Sequence, residues 1–193
     1  MLGKFIEQVD VRNSDGALGE ESVIGISTQK NFIFTKADLS GVSLTSYKKV
    51  PKNCFVYVPD TSRRGDKMAL AYNRSEKTYL VSAIYTVFKV KEDCNNSILS
   101  EYLFLYFNRP EFDRYARFHS WGSAREVFSW DDMCEIEIDL PPIHIQKKYA
   151  DVYSSIIRNQ NFRDKIKNIC PVLIKGSLEE AARTKEVKNV NRH

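Results

Sequence analysis

Cysteine, histidine and glycine are scarce in this chain, and each scarcity excludes a class of chemistry. Its 4 cysteines, Cys54, Cys94, Cys134 and Cys170, lie far apart, with no Cys-x-x-Cys and no histidine at ligand spacing. That spacing excludes a disulfide framework and a zinc site, and no other metal site is expected. Apolar neighbours around Cys54, Cys134 and Cys170 mark reduced, structural thiols of a cytoplasmic protein. No glycine-rich loop runs into Lys-Ser/Thr, and neither Gly-x-Ser-x-Gly nor His-Glu-x-x-His occurs, so no enzymatic activity is expected. Apolar runs fall well short of the roughly 20 residues that span a bilayer. Met1 to Glu7 is charged too early for a signal peptide, so neither membrane nor secretion is expected.

Charge of one sign is also limited. Lys plus Arg number 29 against 25 Asp plus Glu, a net charge of +4, which permits a nucleic-acid partner without demanding one. What the chain does have is apolar and aromatic content, 42% and 12%, enough to exclude a disordered protein over 193 residues.

Up to about residue 140 short β-branched and aromatic runs alternate with turn residues. Ser22–Ile26, Asn31–Phe34, Phe55–Val58 and Met68–Tyr72 read as strands, and Tyr79–Val90 as the longest β-like stretch. Leu99–Phe107 reads as a buried helix, and Pro110 opens a second through Phe112, Tyr115, Ala116 and Phe118. Ser129-x-x-Asp132 predicts a capped helix from Trp130, and the alternation in Glu135–Leu140 predicts a strand with one wet face.

Pro141-Pro142 is the sharpest punctuation. Beyond it Ile145, Tyr149, Val152 and Ile156 step by 4, 3, 4, as do Phe162, Ile166, Ile169 and Leu173, with a joint of 6 residues instead of 7. This pattern predicts a long helix whose apolar stripe requires a partner surface. Pro171 is expected to bend or break it, and Gly176 to weaken a continuation over 177–187. The division is therefore 1–142 as a mixed α+β domain with a twisted sheet and flanking helices, 143–187 as a coiled-coil-type helical region, and 188–193 as a frayed tail.

Two basic clusters stand out. Thr61-Ser62-Arg63-Arg64-Gly65-Asp66-Lys67 is a loop with three cations, neighbouring hydroxyls and a glycine that admits close backbone approach. Arg64, beside Gly65, is the favoured base-reading candidate, because a guanidinium matches guanine by two parallel hydrogen bonds. The plainer alternative is a solvated turn between strands. Arg109, Arg114, Arg117, His119 and Arg125 form the second cluster, interleaved with Phe112, Tyr115, Phe118 and Trp121 and interrupted by Glu111, Asp113 and Glu126. It reads either as an ion-paired helix surface or as a basic face ending in the small-residue turn Gly122-Ser123-Ala124-Arg125.

These residues resemble a known family. Leu2-Gly3-x-Phe5-Ile6, Gly25-Ile26-Ser27, Phe55-Val56-Tyr57 before Arg64-Gly65, and Val81-Ser82-x-x-Tyr85-x-Val87-Phe88 occur in order. They are followed by Glu101-Tyr102-Leu103, Arg109-Pro110-Glu111-Phe112, Gly122-Ser123-Ala124-Arg125-Glu126 and Ile136-x-Ile138-x-Leu140-Pro141-Pro142-Ile143-x-x-Gln146. The set is similar to the DNA-specificity (S) subunits of type I restriction–modification systems, in a half-size form.

The resemblance implies a target-recognition domain, then a long spacer helix that docks methyltransferase (modification) subunits and, through them, a restriction subunit. It implies binding of double-stranded DNA, with Lys30, Tyr47, Arg63, Arg64, Lys67, Ser123 and Arg125 as candidate contacts. It also implies homodimerisation through Ile145, Tyr149, Val152, Ile156, Phe162, Ile166, Ile169 and Leu173. No cofactor is expected on this chain, S-adenosylmethionine belonging to the partner methyltransferase. A protein-interaction module that pairs with other S or modification subunits and binds DNA poorly is the competing expectation.

Overall fold

The computed structural model describes residues 1–35, 37–62, 67–123 and 125–190, with side chains as far as residue 180. They form two compact units, Met1–Lys147 and Lys148–His193. The first is a mixed α/β domain. Its main sheet is antiparallel, with β1 (Ile6–Gln8), β8 (Thr86–Val90), β5 (Cys54–Tyr57) and β6 (Leu70–Tyr72) side by side in that order. Two antiparallel ribbons pair β2 (Ile24–Ile26) with β3 (Phe32–Phe34), and β4 (Lys48–Val50) with β7 (Tyr79–Val81). A parallel bridge from Val23 to Leu80 joins the ribbons.

Every residue of β5 is buried, which is why its sequence shows no polar alternation. The pleat sends Cys54 and Val56 to one face, where they join Ile24, Ile26, Val50, Val81 and Val87 in an aliphatic core. Phe55 and Tyr57 take the other face. Phe55 stacks on Tyr72 at 4.6 Å and Phe88 at 5.0 Å and meets Phe107 edge-on at 5.8 Å. Phe107 ends α1 (Ser100–Phe107), and Phe112, 4.8 Å from it, belongs to α2 (Pro110–Phe118). The helices therefore cover the aromatic face. Each such ring contributes roughly 1.5–3 kcal/mol by leaving water.

Pro110 sits in the first turn of α2, and a complete capping box from Ser129 and Asp132 starts α3 (Trp130–Glu135). Two expectations fail. Tyr79–Val90 is not one strand: a turn closed by Tyr85 N–H donating to the Ser82 carbonyl at 3.0 Å splits it into β7 and β8, which join different sheets. Strand-favouring side chains do not reveal where the backbone reverses. Nor is Glu135–Leu140 a strand, because Glu135 closes α3 and, among the described residues, 136–140 join no ladder. The alternation is nevertheless real as burial. Ile136 is inside and Glu137 outside, and bonds from the Leu2 N–H to the Ile136 carbonyl (2.7 Å) and from the Tyr106 hydroxyl to the Glu137 carbonyl (3.4 Å) hold the segment.

α4 (Ile143–Val190) is one helix of 48 residues, about 72 Å at 1.5 Å per residue. The expected break at Pro171 does not occur, and the helix also passes Gly176. A proline deletes one rung of the ladder, and flanking turns can keep the helix going. Gln146 fastens the first turn of α4. Fully buried, its Oε1 accepts from the Leu99 N–H at 3.0 Å, and its Nε2 donates to the carbonyls of Ser97 (2.8 Å) and Pro141 (2.9 Å). The first unit accordingly includes this first turn, through Lys147.

Within the second unit the residues of the expected stripe, Tyr149 to Leu173, are exposed, from 43% at Ile166 to 65% at Leu173. The six-residue joint rotates the Phe162, Ile166, Ile169 and Leu173 set by about 100° from the line of Tyr149, Val152 and Ile156. The helix thus carries two apolar faces in succession, where a single stripe was expected.

Candidate nucleic-acid interface

The chain leaves β5 at Tyr57 and returns in β6 at Leu70, and the loop between them holds the first basic cluster. Its beginning is built into a small ladder. Asp60 bridges Val127, and Val127 in turn bridges Trp121. The Thr61 N–H and Oγ1 both donate to the Glu126 carbonyl, at 2.9 and 3.1 Å, and Ser62 closes onto Asp60 Oδ1 at 2.6 Å. Segments 65 residues apart in sequence thus become neighbours. The turn between Trp121 and Val127 requires Gly122: its φ is +136°, and a Cβ there would lie 2.1 Å from the Arg125 carbonyl oxygen. Ser123 and Arg125 are exposed on this turn.

The end of the loop is tied down differently. Asp113 on α2 is buried, and its Oδ1 accepts from the Met68 N–H at 3.0 Å and from Lys30 Nζ at 2.5 Å. One carboxylate therefore joins α2, the exit of the 61–67 loop and the β2–β3 hairpin. Lys30, expected as a DNA contact, is 4% exposed, with its ammonium committed to Asp113 and lying 5.6 Å from the Phe112 ring. That ammonium is part of the fold's own ion pairing. Tyr47 is elsewhere, packed with Leu18 and Leu44 against Val23, Leu39 and Leu80.

Lys67 is exposed at the mouth of a cleft of about 380 Å³, lined also by Thr28, Gln29, Asn108, Pro110 and Arg114, with Lys30 and Asp113 among its walls. Arg63 and Arg64 lie outside the described residues. Of the second cluster, Arg117 pairs with Glu126, Arg114 with Glu111 at 3.2 Å, and Arg109 stacks over Tyr106 at 4.2 Å. Hydrogen bonding at its own backbone, with help from Arg114 and Arg109, holds the Glu111 carboxyl below its ordinary range. His119 stacks on Tyr115 at 3.9 Å, while Phe118 and Trp121 are exposed. Two of the acids that interrupt the basic pattern, Glu111 and Glu126, are thus counterions of its cations, and the third, Asp113, pairs with Lys30 outside it. Asp113 in particular was legible only as an interruption, since its partners are 45 and 83 residues away.

Among the described residues no group of His, Cys, Asp and Glu could hold a metal, and no helix is long and apolar enough to cross a membrane. What the site offers is an exposed edge with basic and hydroxyl side chains on two cross-braced turns. Such an edge suits phosphate and base contacts better than bond-making chemistry.

Residues 11–169 match the family described as the type I restriction modification DNA specificity domain, and the chain belongs to that family. No curated protein matches the chain. A solved structure described as "Structural basis underlying complex assembly and conformational transition of the type I R-M system" is similar at 9% identity with a TM-score of 0.45, over 82% of this chain. The chain spans 37% of the length of that one, and so distant a likeness adds nothing to the family match.

Proposed function

We propose that this chain reads one half-site of a bipartite duplex DNA target for a type I restriction–modification complex, and that α4 docks the modification subunits and a second copy of the chain. The observation that carries the reading is the bracing of the exposed Gly122 turn against Asp60 and Thr61, where the sequence enters its other basic cluster. The Asp60–Val127–Trp121 ladder holds Asp60 and Thr61, which precede Arg63, Arg64 and Lys67 in the sequence, against the turn that bears Ser123 and Arg125. Family membership supports the DNA target. The exposed apolar faces of α4, Tyr149 to Ile156 and Phe162 to Leu173, support docking, because apolar area of that extent rarely stays in water. In this reading the chain is not catalytic. Methylation and cleavage belong to partner subunits, and S-adenosylmethionine to the methyltransferase.

The test is a salt titration of duplex binding by the full chain, with and without its modification subunit. A reader that neutralises several phosphates loses affinity steeply with salt. Removing a phosphate contact, by Ala at Arg63, Arg64 or Lys67, lowers that slope by about one unit for all sequences. Removing a base contact costs roughly 1–3 kcal/mol on the target and relaxes one position, the behaviour expected of Arg64. Salt-independent binding, or three Ala variants that keep wild-type affinity and discrimination, refutes the proposal.

A further inference from the structure

The β2–β3 hairpin ends in Ser27-Thr28-Gln29-Lys30-Asn31, and its tip is unusually well held. The Ser27 N–H donates to the Asn31 carbonyl at 3.0 Å, the Lys30 N–H to the Ser27 carbonyl at 3.0 Å, and Asn31 Nδ2 to the Gln29 carbonyl at 3.1 Å. Lys30 adopts a left-handed φ of 59°, unfavourable for a residue with a side chain, and its buried ion pair with Asp113 on α2 keeps it there. The consequence is at the next residue back. Gln29 is exposed at the cleft mouth, and among the described residues its amide side chain has no hydrogen-bond partner. Exposed Lys67 and Arg114 line the same cleft.

We infer that Gln29 is a specificity-determining residue, reading the adenine of one A·T pair through the major groove while Lys67 and Arg114 take flanking phosphates. This rests on the DNA-reading function proposed above. A carboxamide presents one donor and one acceptor side by side, the complement of adenine N7 and the N6 amino group. A rigid tip also lowers the ordering cost that a free glutamine pays on binding. A neutral amide also donates to phosphate, but without the charge that lysine or arginine brings to the backbone.

The experiment selects bound duplexes from a random-sequence pool with the full chain and its modification subunit, then repeats the selection with Gln29→Ala and Gln29→Glu. The exposed position should leave the fold intact, which a melting curve checks. The expected result is that Gln29→Ala loses roughly five- to 150-fold of adenine preference at one position, with the salt slope unchanged. Gln29→Glu, which only accepts, should turn that preference toward cytosine. If both variants keep the wild-type preference everywhere, or weaken all sequences alike, the inference is overturned while half-site reading stands. A wild-type complex that selects no sequence overturns half-site reading itself, and this inference with it.

Discussion

Replacing Gln146 with alanine removes three hydrogen bonds from a position with no solvent access. Each is worth about 1 kcal/mol net, so the expected loss is about 3 kcal/mol, more if the Leu99 N–H finds no water. Leu99 flanks the start of α1 with no side-chain cap of its own, and the glutamine oxygen fills that role. Gln146→Glu sharpens the test, because it keeps an acceptor for Leu99 but turns a carboxylate oxygen toward two carbonyls. That arrangement favours the protonated acid, raising its folded pKa above the unfolded one. The Glu variant should therefore approach wild type below the unfolded glutamate pKa and lose stability as pH rises through the folded value. Both tryptophans, Trp121 and Trp130, lie in the first unit, so urea unfolding followed by their fluorescence reports on it alone. With a slope of about 1–3 kcal/mol per molar urea, the alanine midpoint should fall by about 1–3 M with the slope unchanged. An alanine variant within about 0.5 kcal/mol of wild type, or a Glu variant whose deficit ignores pH, would refute the anchoring argument.

Lys30→Ala should cost about 3–5 kcal/mol in chemical denaturation, because Asp113 stays buried without its counterion, and Lys30→Met with Asp113→Leu should recover much of that. Gly122→Ala places a Cβ 2.1 Å from the Arg125 carbonyl oxygen, so the turn must open, at about 1–3 kcal/mol and with faster hydrogen exchange at the Trp121 and Val127 amides. Burial pushes the Tyr57 and Tyr72 phenols well above their ordinary value, with Glu101 adding to the shift at Tyr72. Protonated tyrosine is thus the form the fold favours, so their stabilisation is complete below about pH 10 and declines as pH rises further. Phenolate absorbance from these two should appear together with loss of fold.

Local signals carried far where chemistry is local. Pro110 and the Ser129–Asp132 pair mark helix starts because an unsatisfied N–H is satisfied within one turn. The buried strand Cys54–Tyr57 is legible from its side chains alone. The split at Ser82 was not, because that stretch is equally strand-like on both sides of the turn. At the site, the exposed turn at Gly122 was legible as a turn, but its pairing with Asp60 and Thr61 was not, since no residue in either segment announces the other.

The residue pattern by itself determined the mixed α/β domain, the aromatic and aliphatic stock of its core, the long helix after Pro142, and the basic character of two turns. Only the tertiary structure decided which cations face outward. Lys30 and Lys67 are equivalent as residues, yet one is buried against Asp113 and the other is exposed at the same cleft. The physical reason is that an ammonium's role depends on the carboxylate and the solvent within a few ångströms. Those neighbours are set by long-range packing that brings residue 113 beside residues 30 and 68.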